Sequence, residues 1–404
     1  MNLELNPKSR AYALYVLLAG TFLMWGGFFM VVPLIGVHFV NDLGWAASSI
    51  GLILAVRQFG QQGLTVFGGA FADKFGVRGL ILAGLLLRAL GFTAMGFATN
   101  FATLLLANML AALGGALFEA PRNAAIAALT QDHNRARFYA LGGVVGNLGM
   151  TIGPLVGTLL FKTSFTTVAL VSAGCYTLTL LLTSLFLPNV RTSSGNNDNP
   201  LGGLGVVFKD SRFVQFTVFL MGYWLMWAQF SIAISLAVVA VSHSKDAISW
   251  VYTLNAGMSV LLQYPVSRFL ADKLKPLLAV VIGISLMALG IGSLMFATST
   301  VLFLSSVALF SFGGLLAAPN VQTTAAQLAN PKLLGSYFGV NALSLAVGGG
   351  LGNLIGGTLY QTSLQLKISW LPWVVFSGIG FLSALGLGWL HTQLTQQQRT
   401  DQTR

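Results

Sequence analysis

Charged residues are scarce in this chain of 404 residues, and cysteine occurs only once. Asp, Glu, Lys and Arg together make up 8% of the sequence, whereas a soluble globular protein contains about 25%. A water-soluble surface cannot be built from so few charges, so a soluble protein is excluded. The single cysteine, Cys175, excludes an internal disulfide and is best interpreted as a small packing residue.

Groups that could carry out catalysis or bind a metal are also few. The four histidines, His38, His133, His243 and His391, fall in loops or at the ends of apolar segments. The sequence contains no metal-ligand spacing and no phosphate-binding loop. An intramembrane enzyme needs a nucleophile and a base within reach of each other, and no such pair is evident. We therefore predict that the protein is not an enzyme and needs no cofactor.

Apolar residues, by contrast, make up 55% of the chain and occur in long runs. A bilayer core about 30 Å thick requires about 20 apolar residues per helix. Twelve segments meet this requirement, at approximately residues 11–37, 46–71, 79–98, 101–127, 138–161, 166–187, 212–241, 247–270, 276–297, 301–328, 335–360 and 370–391. The sequence therefore predicts an all-α membrane protein with twelve transmembrane helices.

The basic residues between these segments are distributed unevenly. Fifteen Lys and Arg residues fall on one side of the predicted membrane, and only Lys162, Lys245 and Lys367 fall on the other. Because basic loops are retained in the cytoplasm, both termini and the loop between helices 6 and 7 are predicted to be cytoplasmic. The net charge of +11 does not indicate a nucleic-acid partner, since no basic stripe with interleaved aromatic residues occurs.

The two halves of the chain are similar to each other at an offset of 199 residues. Ala72–Lys74 recurs as Ala271–Lys273, and Gly114–Gly115 recurs as Gly313–Gly314. Glycine and alanine are abundant, so one match could arise by chance. A collinear set of matches across several helices indicates that a six-helix unit was duplicated.

The longest polar segment, Arg191–Gly203, lies at the midpoint and has the Gly, Asn, Ser and Pro content of a flexible linker. We predict two pseudo-symmetric six-helix bundles at residues 1–190 and 212–404, joined by a cytoplasmic linker at 191–211. Two such bundles leave a cavity at their interface, which rocking opens to either side in turn. This is the architecture of a secondary transporter.

The loop between helices 2 and 3 contains Gly69, Asp73, Lys74, Gly76 and Arg78. Gly69 permits close packing, Gly76 permits a tight turn, and Asp73 can accept hydrogen bonds from a helix N-terminus. This pattern resembles the signature loop of the major facilitator superfamily. The resemblance implies the major facilitator fold and a cytoplasmic latch that gates transport. The alternative for Lys74 and Arg78 is that they are ordinary cytoplasmic loop charges.

Helix 5 contains Gly149, Gly153, Pro154 and Gly157. These residues resemble the antiporter signature of the drug:proton antiporter branch of that superfamily, with Thr158 in place of its last glycine. Bare backbone at three glycines and the missing N–H of Pro154 predict a kinkable helix with a close-packing face. Generic helix packing explains the glycine spacing equally well, so the Gly-Pro pair carries the specificity.

Two charged residues lie towards the cytoplasmic end of helix 4. A charge at the centre of a membrane helix costs about 2.5–3.5 kcal/mol or more, so Glu119 and Arg122 are functional candidates. One interpretation is an ion pair between residues i and i+3 that stabilises helix 4. The other is that Glu119 carries the coupling proton, with burial and nearby arginines setting its affinity for protons.

Arg57 and Arg88 lie near the middle of helices 2 and 3. They bind an anionic group of the substrate, or they tie helices together through structural contacts. The drug-efflux branch usually has an arginine early in helix 4, whereas this chain has Asn108. A coupling scheme based on that arginine therefore does not transfer, although Asn108 remains a substrate-site candidate.

The superfamily resemblance implies that helices 1, 4, 7 and 10 line the transport cavity. On helices 1 and 7 the candidates are Trp25, Phe29, Trp224 and Trp227. Aromatic surfaces with few polar groups suit bulky, partly apolar ligands. The same residues would also serve in helix packing or interfacial belts.

The duplicated architecture predicts a secondary transporter, and the resemblance to the drug:proton antiporter branch implies a protein of the bacterial inner membrane that exports bulky, drug-like or amphipathic molecules in exchange for protons. The proton gradient is the energy source, and the expected partners are a small-molecule substrate, protons and lipid, with a monomeric protein. The alternative is an exporter or symporter of a native metabolite, sugar or lipid. A channel or receptor would not need two similar halves. All the deep charges lie in the first half, which we expect to carry coupling.

Overall fold

A computed structural model of the chain describes residues 7–130, 132–188, 202–271, 273–330 and 333–402. Within these ranges, the side chains that are not described are those of residues 7–8, 65–75, 120, 124, 127, 132–137, 139–140, 202–204, 264, 267–271, 334–336 and 397–402. The described backbone is almost entirely helical and includes no β-strand.

The first half of the chain contains six long helices. They are α1 (Pro7–Gly36), which continues into a π-helical turn (Val37–Asp42), α2 (Ala47–Phe75), α3 (Val77–Gly96), α4 (Phe101–Leu129), α5 (Asp132–Phe161) and α6 (Phe165–Phe186). Polar side chains cap the N-termini of several of these helices. Asn100 accepts a hydrogen bond from the backbone N–H of Thr103 at the start of α4, and Ser164 does the same for Thr167 at the start of α6.

The second half begins with a short helix and then repeats the pattern of long helices. Its elements are α7 (Gly202–Lys209), α8 (Ser211–Trp227), a 3₁₀ turn (Ala228–Ser231), α9 (Ala233–Ser242), α10 (Ala247–Ala271), α11 (Pro276–Ser293) with a 3₁₀ turn (Leu294–Phe296), α12 (Thr300–Leu328), α13 (Leu334–Leu366) and α14 (Leu371–Gln402). Helix α7 lies inside the predicted linker at 191–211, while 189–201 lies outside the described residues.

Ten segments among the described residues are long and apolar enough to cross a membrane. Helices α2 and α10 have 29 and 25 residues, which correspond to about 43 and 38 Å at 1.5 Å per residue and exceed a bilayer core of about 30 Å. The twelve predicted transmembrane segments are therefore present as helices, and the all-α membrane fold is confirmed.

The chain divides into two compact units, Met1–Gly44 with Val56–Asn196 and Trp45–Ala55 with Asn197–Arg404. In the first unit α1 packs on α5 and α6, and α3 packs on α4 and α6. In the second unit α8 packs on α13 and α14, and α11 packs on α12 and α14. Each pair in one unit has its counterpart in the other, as expected for a duplicated bundle.

Glycine contacts reproduce the offset of 199 residues at atomic detail. A Cβ atom placed on Gly84 would lie 2.7 Å from the carbonyl oxygen of Gly114, and one placed on Gly283 would lie 2.7 Å from that of Gly313. Both pairs hold adjacent helices at backbone contact, which only glycine permits. The internal repeat found in the sequence is therefore a repeat of helix packing.

The seventh transmembrane segment differs from the prediction of one continuous helix at 212–241. It is interrupted at Ala228–Ser231, and Ile232 has non-helical backbone angles of φ −128° and ψ −77°. The break leaves the carbonyl of Phe230 available to side chains: Tyr252 donates its hydroxyl to it at 3.0 Å, and Ser235 donates a second hydrogen bond. These donors compensate for the helical hydrogen bond lost at the break, as membrane helices require.

Candidate functional site

The glycine face of α5 lies directly against α1. A Cβ atom placed on Gly149 would lie 2.6 Å from the carbonyl oxygen of Phe22, and one placed on Gly153 would lie 2.5 Å from that of Gly26. Gly157 makes an equally close approach to α1 one turn later. The close-packing face predicted from the glycine spacing is therefore present.

Helix α5 continues through Pro154 without interruption. The hydroxyl of Thr158 donates a hydrogen bond to the carbonyl oxygen of Pro154 at 3.0 Å, so the hydroxyl is satisfied within its own helix. In the second unit, α13 packs on α8 in the same way through Gly348 and Gly352, but α13 contains no proline. Close packing of these helix pairs therefore does not require a proline.

Only part of the predicted signature loop is described. The side chains of Asp73 and Lys74, and the packing of Gly69, lie outside the described residues. Gly76 has φ +81°, a conformation that glycine adopts without strain, and it caps α3. Arg78 donates a hydrogen bond to the carbonyl oxygen of Ser184 near the end of α6. Arg78 is therefore bound within the first unit and is more than a free loop charge.

Arg57 on α2 is brought against the ring of Phe28 on α1. The guanidinium carbon lies 4.8 Å from the ring centroid, within the range of a cation–π interaction. Its terminal nitrogens donate to the side-chain oxygens of Gln61 at 3.3 Å and Gln58 at 3.4 Å. These are long hydrogen bonds, since the usual distance is about 2.9–3.0 Å.

Arg88 on α3 approaches the same ring, with 5.8 Å between its guanidinium carbon and the centroid of Phe28. One terminal nitrogen donates to the hydroxyl of Tyr176 on α6 at 3.4 Å, and Tyr176 in turn donates to the carbonyl oxygen of Met24. The guanidinium rests against Gly115, whose missing side chain leaves room for it. The structure therefore brings both predicted arginines to one cluster.

The partners of the two arginines were not predicted. Gln61 could have been found from the sequence, because it lies four residues after Arg57 and hence on the same helix face. Phe28 and Tyr176 come from helices distant in the chain, and no local signal links them to the arginines. The cluster of Arg57, Arg88, Phe28, Gln61 and Tyr176 is called the arginine cluster below.

Glu119 and Arg122 do not form the ion pair that their spacing allows. Arg122 donates instead to the hydroxyl of Thr21 on α1 at 3.0 Å and to the side chain of Asn123 at 3.1 Å. Among the described residues, the partly exposed carboxylate of Glu119 has no hydrogen bond and no ion pair. The ion pair between residues i and i+3 is therefore not formed in this structure.

Asn108 is completely buried inside the first unit. Its side-chain nitrogen donates to the carbonyl oxygen of Leu104 at 2.9 Å, one turn earlier on the same helix. Its side-chain oxygen is buried without a hydrogen bond among the described residues, and the structure does not bring Asn108 into the arginine cluster.

The aromatic candidates lie in clusters on each unit. Trp25 stacks on Phe29 at 5.9 Å between ring centroids and meets Phe28 edge-on at 6.2 Å. In the second unit, Trp224 and Trp227 lie on α8, at and just before its break. All five side chains are partly exposed, so each unit presents an aromatic surface of the kind that bulky apolar ligands contact.

Comparison with known proteins gives matches along the whole chain. A family model described as Major Facilitator Superfamily matches residues 17–243 and 214–404. The protein named Multidrug resistance protein MdtH of Photorhabdus laumondii subsp. laumondii is 37% identical over 397 residues, which is 98% of each chain. The protein of the same name from Proteus mirabilis (strain HI4320) is 36% identical over 397 residues, also 98% of each chain.

Solved structures agree on the fold. A POT family transporter in complex with a thioalcohol-conjugated peptide superimposes with a TM-score of 0.80 at 15% identity, covering 96% of this chain and 97% of that one. The nucleoside transporter NupG superimposes with a TM-score of 0.80 at 14% identity, covering 94% and 99%. At these identities the similarity is one of fold. Together with the family model and the full-length relatives, it shows that this multi-pass membrane protein belongs to the major facilitator superfamily of transporters.

Proposed function

We propose that this chain is a secondary active transporter that exports bulky, amphipathic small molecules across a bacterial inner membrane in exchange for protons. The observation that carries this proposal is the similarity along 98% of the chain to proteins named Multidrug resistance protein MdtH. The duplicated bundle supports it, because transporters built from two such halves work by alternating access.

The aromatic surfaces support a broad range of apolar cargo. Trp25 and Phe29 on α1 and Trp224 and Trp227 on α8 are partly exposed aromatic side chains. Phe28 on α1 adds a ring that meets Trp25 edge-on and also contacts Arg57. Flat, partly apolar molecules can contact such rings in several orientations. The proposal therefore favours drug-like substrates over a small polar metabolite or sugar.

Glu119 is the proposed proton carrier. It is the single acidic residue within a membrane helix of the first half, apart from those near helix ends. Its carboxylate makes no ion pair or hydrogen bond among the described residues, whereas Arg122 one turn away is bound to Thr21. A carboxylate without a fixed partner can take up and release a proton as its surroundings change.

The remaining parts of the proposal concern topology and energy. The excess of basic residues on one side supports cytoplasmic termini. The proton gradient would supply the energy, with no cofactor, and a single chain would suffice because both halves of the transport unit are present in it.

Transport into inverted membrane vesicles tests this proposal. Vesicles that contain the protein should accumulate fluorescent or antibiotic compounds when a proton gradient is imposed, and a protonophore should abolish accumulation. Accumulation of a native metabolite together with failure of every drug-like compound would favour the alternative of a metabolite transporter. Transport that is indifferent to the gradient would contradict proton coupling.

A substitution separates coupling from folding. Glu119→Gln preserves the size of the side chain but cannot release a proton, so gradient-driven accumulation should fall to the level without a gradient. The protein should still reach the membrane in normal amounts. Asp246→Asn, which removes an acid from the loop before α10, is the matched control and should transport normally. Normal coupling in Glu119→Gln would exclude Glu119 as the carrier.

A further inference from the structure

The arginine cluster contains two buried cations and no buried anion. Arg57 is 7% exposed and Arg88 is 5% exposed. Among the described residues, no carboxylate lies within ion-pair distance of either guanidinium. Charged side chains inside membrane proteins are usually paired, so two adjacent arginines without an acid are an unusual and costly arrangement.

The contacts that these arginines make are neutral and weak. Each guanidinium has five N–H donors. Arg57 uses two nitrogens in hydrogen bonds of 3.3 and 3.4 Å to glutamines, and Arg88 uses one in a hydrogen bond of 3.4 Å to Tyr176. The Nε atoms of both arginines are buried without a partner. Most of the donor capacity of the cluster is therefore unused.

The second unit shows that the bundle does not need these charges. At the offset of 199 residues, Arg57 corresponds to Ala256 and Arg88 corresponds to Met287. Trp227 corresponds to Phe28, and its indole lies against Gly314, the counterpart of Gly115. The same helix packing is thus built with apolar side chains in one unit and with two arginines in the other.

A role in folding therefore does not explain the arginines, whereas a role in binding does. The geometry points to the arginine cluster as a subsite for an oxyanion, in which Arg57 and Arg88 receive the carboxylate of an amphipathic aromatic substrate. This assignment rests on the proposed export function and adds the substrate class: aromatic acids and zwitterions, as opposed to simple lipophilic cations.

The surroundings of the cluster suit such a ligand. Gln58 and Gln61, which hold Arg57, are partly exposed, so a carboxylate arriving from that surface replaces them as the acceptor. Charge-assisted hydrogen bonds to a carboxylate are shorter and stronger than those to an amide. Phe28 lies between the arginines and Trp25, so the aromatic part of the same molecule can stack beside the charge.

A pair of matched probes tests the subsite: a fluorescent aromatic carboxylate and its methyl ester. Export is measured in proteoliposomes with a proton gradient, for the wild type, Arg57→Ala and Arg88→Met. Both substitutions copy the second unit, so the variants should fold, which a thermal unfolding midpoint checks. In each variant, kcat/KM for export of the carboxylate should fall by about tenfold or more, and kcat/KM for export of the ester should stay the same. A loss of this size is expected when a site loses a group that hydrogen-bonds to the substrate.

Several outcomes would overturn the assignment. Equal loss of carboxylate and ester would indicate a structural role for the arginines, and unchanged export of both would indicate no role. Arg88→Lys keeps the charge and should recover part of the carboxylate export; carboxylate export no higher than in Arg88→Met would contradict the subsite.

Binding measurements separate this inference from the export proposal. If the wild type exports neither probe, the export proposal fails. Equilibrium binding of the carboxylate, measured by calorimetry on protein in phosphatidylcholine nanodiscs, still tests the subsite. Addition of phosphatidylglycerol or inorganic phosphate identifies other sources of an oxyanion. Displacement of the carboxylate by either one, with no preference for the aromatic acid, would assign the cluster to lipid headgroups or free phosphate and refute substrate recognition.

Discussion

The contact between α1 and α5 makes Gly153 a position where one methyl group should be expensive. In Gly153→Ala the new Cβ would lie 2.5 Å from the carbonyl oxygen of Gly26 and 3.1 Å from the nitrogen of Met30. An ordinary contact begins at 3.4 Å. Both neighbours are backbone atoms that cannot rotate away, so α1 and α5 must move apart by about 0.9 Å at this point.

Two opposing contributions set the size of the effect. Overpacking of a close contact costs about 1–3 kcal/mol, and alanine is favoured over glycine in a helix by about 1 kcal/mol. Gly153→Ala should therefore destabilise the first unit by about 0–2 kcal/mol relative to the wild type, and by about 1–3 kcal/mol relative to an alanine on the same helix that meets no clash. Gly143→Ala on the same helix is the matched control, because no other atom lies within 4 Å of the added Cβ. It should be neutral or slightly stabilising.

The single cysteine provides the assay. Cys175 lies on α6 and is only partly accessible, so a thiol-reactive dye reports its exposure when purified protein unfolds in detergent. At about 2–4 °C per kcal/mol for a unit of this size, the midpoint of Gly153→Ala should lie about 2–12 °C below that of Gly143→Ala. A midpoint equal to or above that of Gly143→Ala would refute the packing argument.

The same variant distinguishes packing from a dedicated antiporter role. Gly352→Ala makes the corresponding change in the second unit, where the Cβ would lie 2.7 Å from the carbonyl oxygen of Leu225. If packing alone matters, both variants should reduce transport equally. A loss of proton coupling confined to Gly153→Ala would support a specific function for the helix that carries Pro154.

Two further predictions concern single positions. Gly76→Ala introduces a side chain at φ +81°, which should cost about 1–3 kcal/mol of unfolding free energy and lower the unfolding midpoint. The control Gly79→Ala, on the open face of α3, should not lower it. Equal midpoints for the two variants would contradict strain at Gly76. Thr21→Val removes the acceptor for Arg122 and should cost about 1–3 kcal/mol in unfolding free energy. Thr21→Ser retains that acceptor and should behave as the wild type, so identical losses in both variants would show that the hydrogen bond is unimportant.

Much of the fold could be predicted from the sequence because the relevant signals are local. Bilayer thickness demands long apolar runs, so the helices follow from composition within short windows. The repeat at an offset of 199 residues predicted pairs of helices that pack alike, and Gly84 with Gly114 and Gly283 with Gly313 do so. The break in the seventh segment was missed because its local donor, Ser235, is a common residue in membrane helices, and its second donor, Tyr252, comes from the neighbouring helix α10.

The sequence by itself determined which residues carry charge into the membrane, since Arg57, Arg88 and Glu119 stand out in apolar runs. Only the tertiary structure decided what those charges meet. Spacing allows Glu119 to pair with Arg122, but Thr21 on a neighbouring helix takes the arginine instead. The two buried arginines, Arg57 and Arg88, both contact Phe28 because helices α1, α2, α3 and α6 meet at that ring. Helix packing sets the partners of a long side chain, and proximity in the sequence does not encode helix packing.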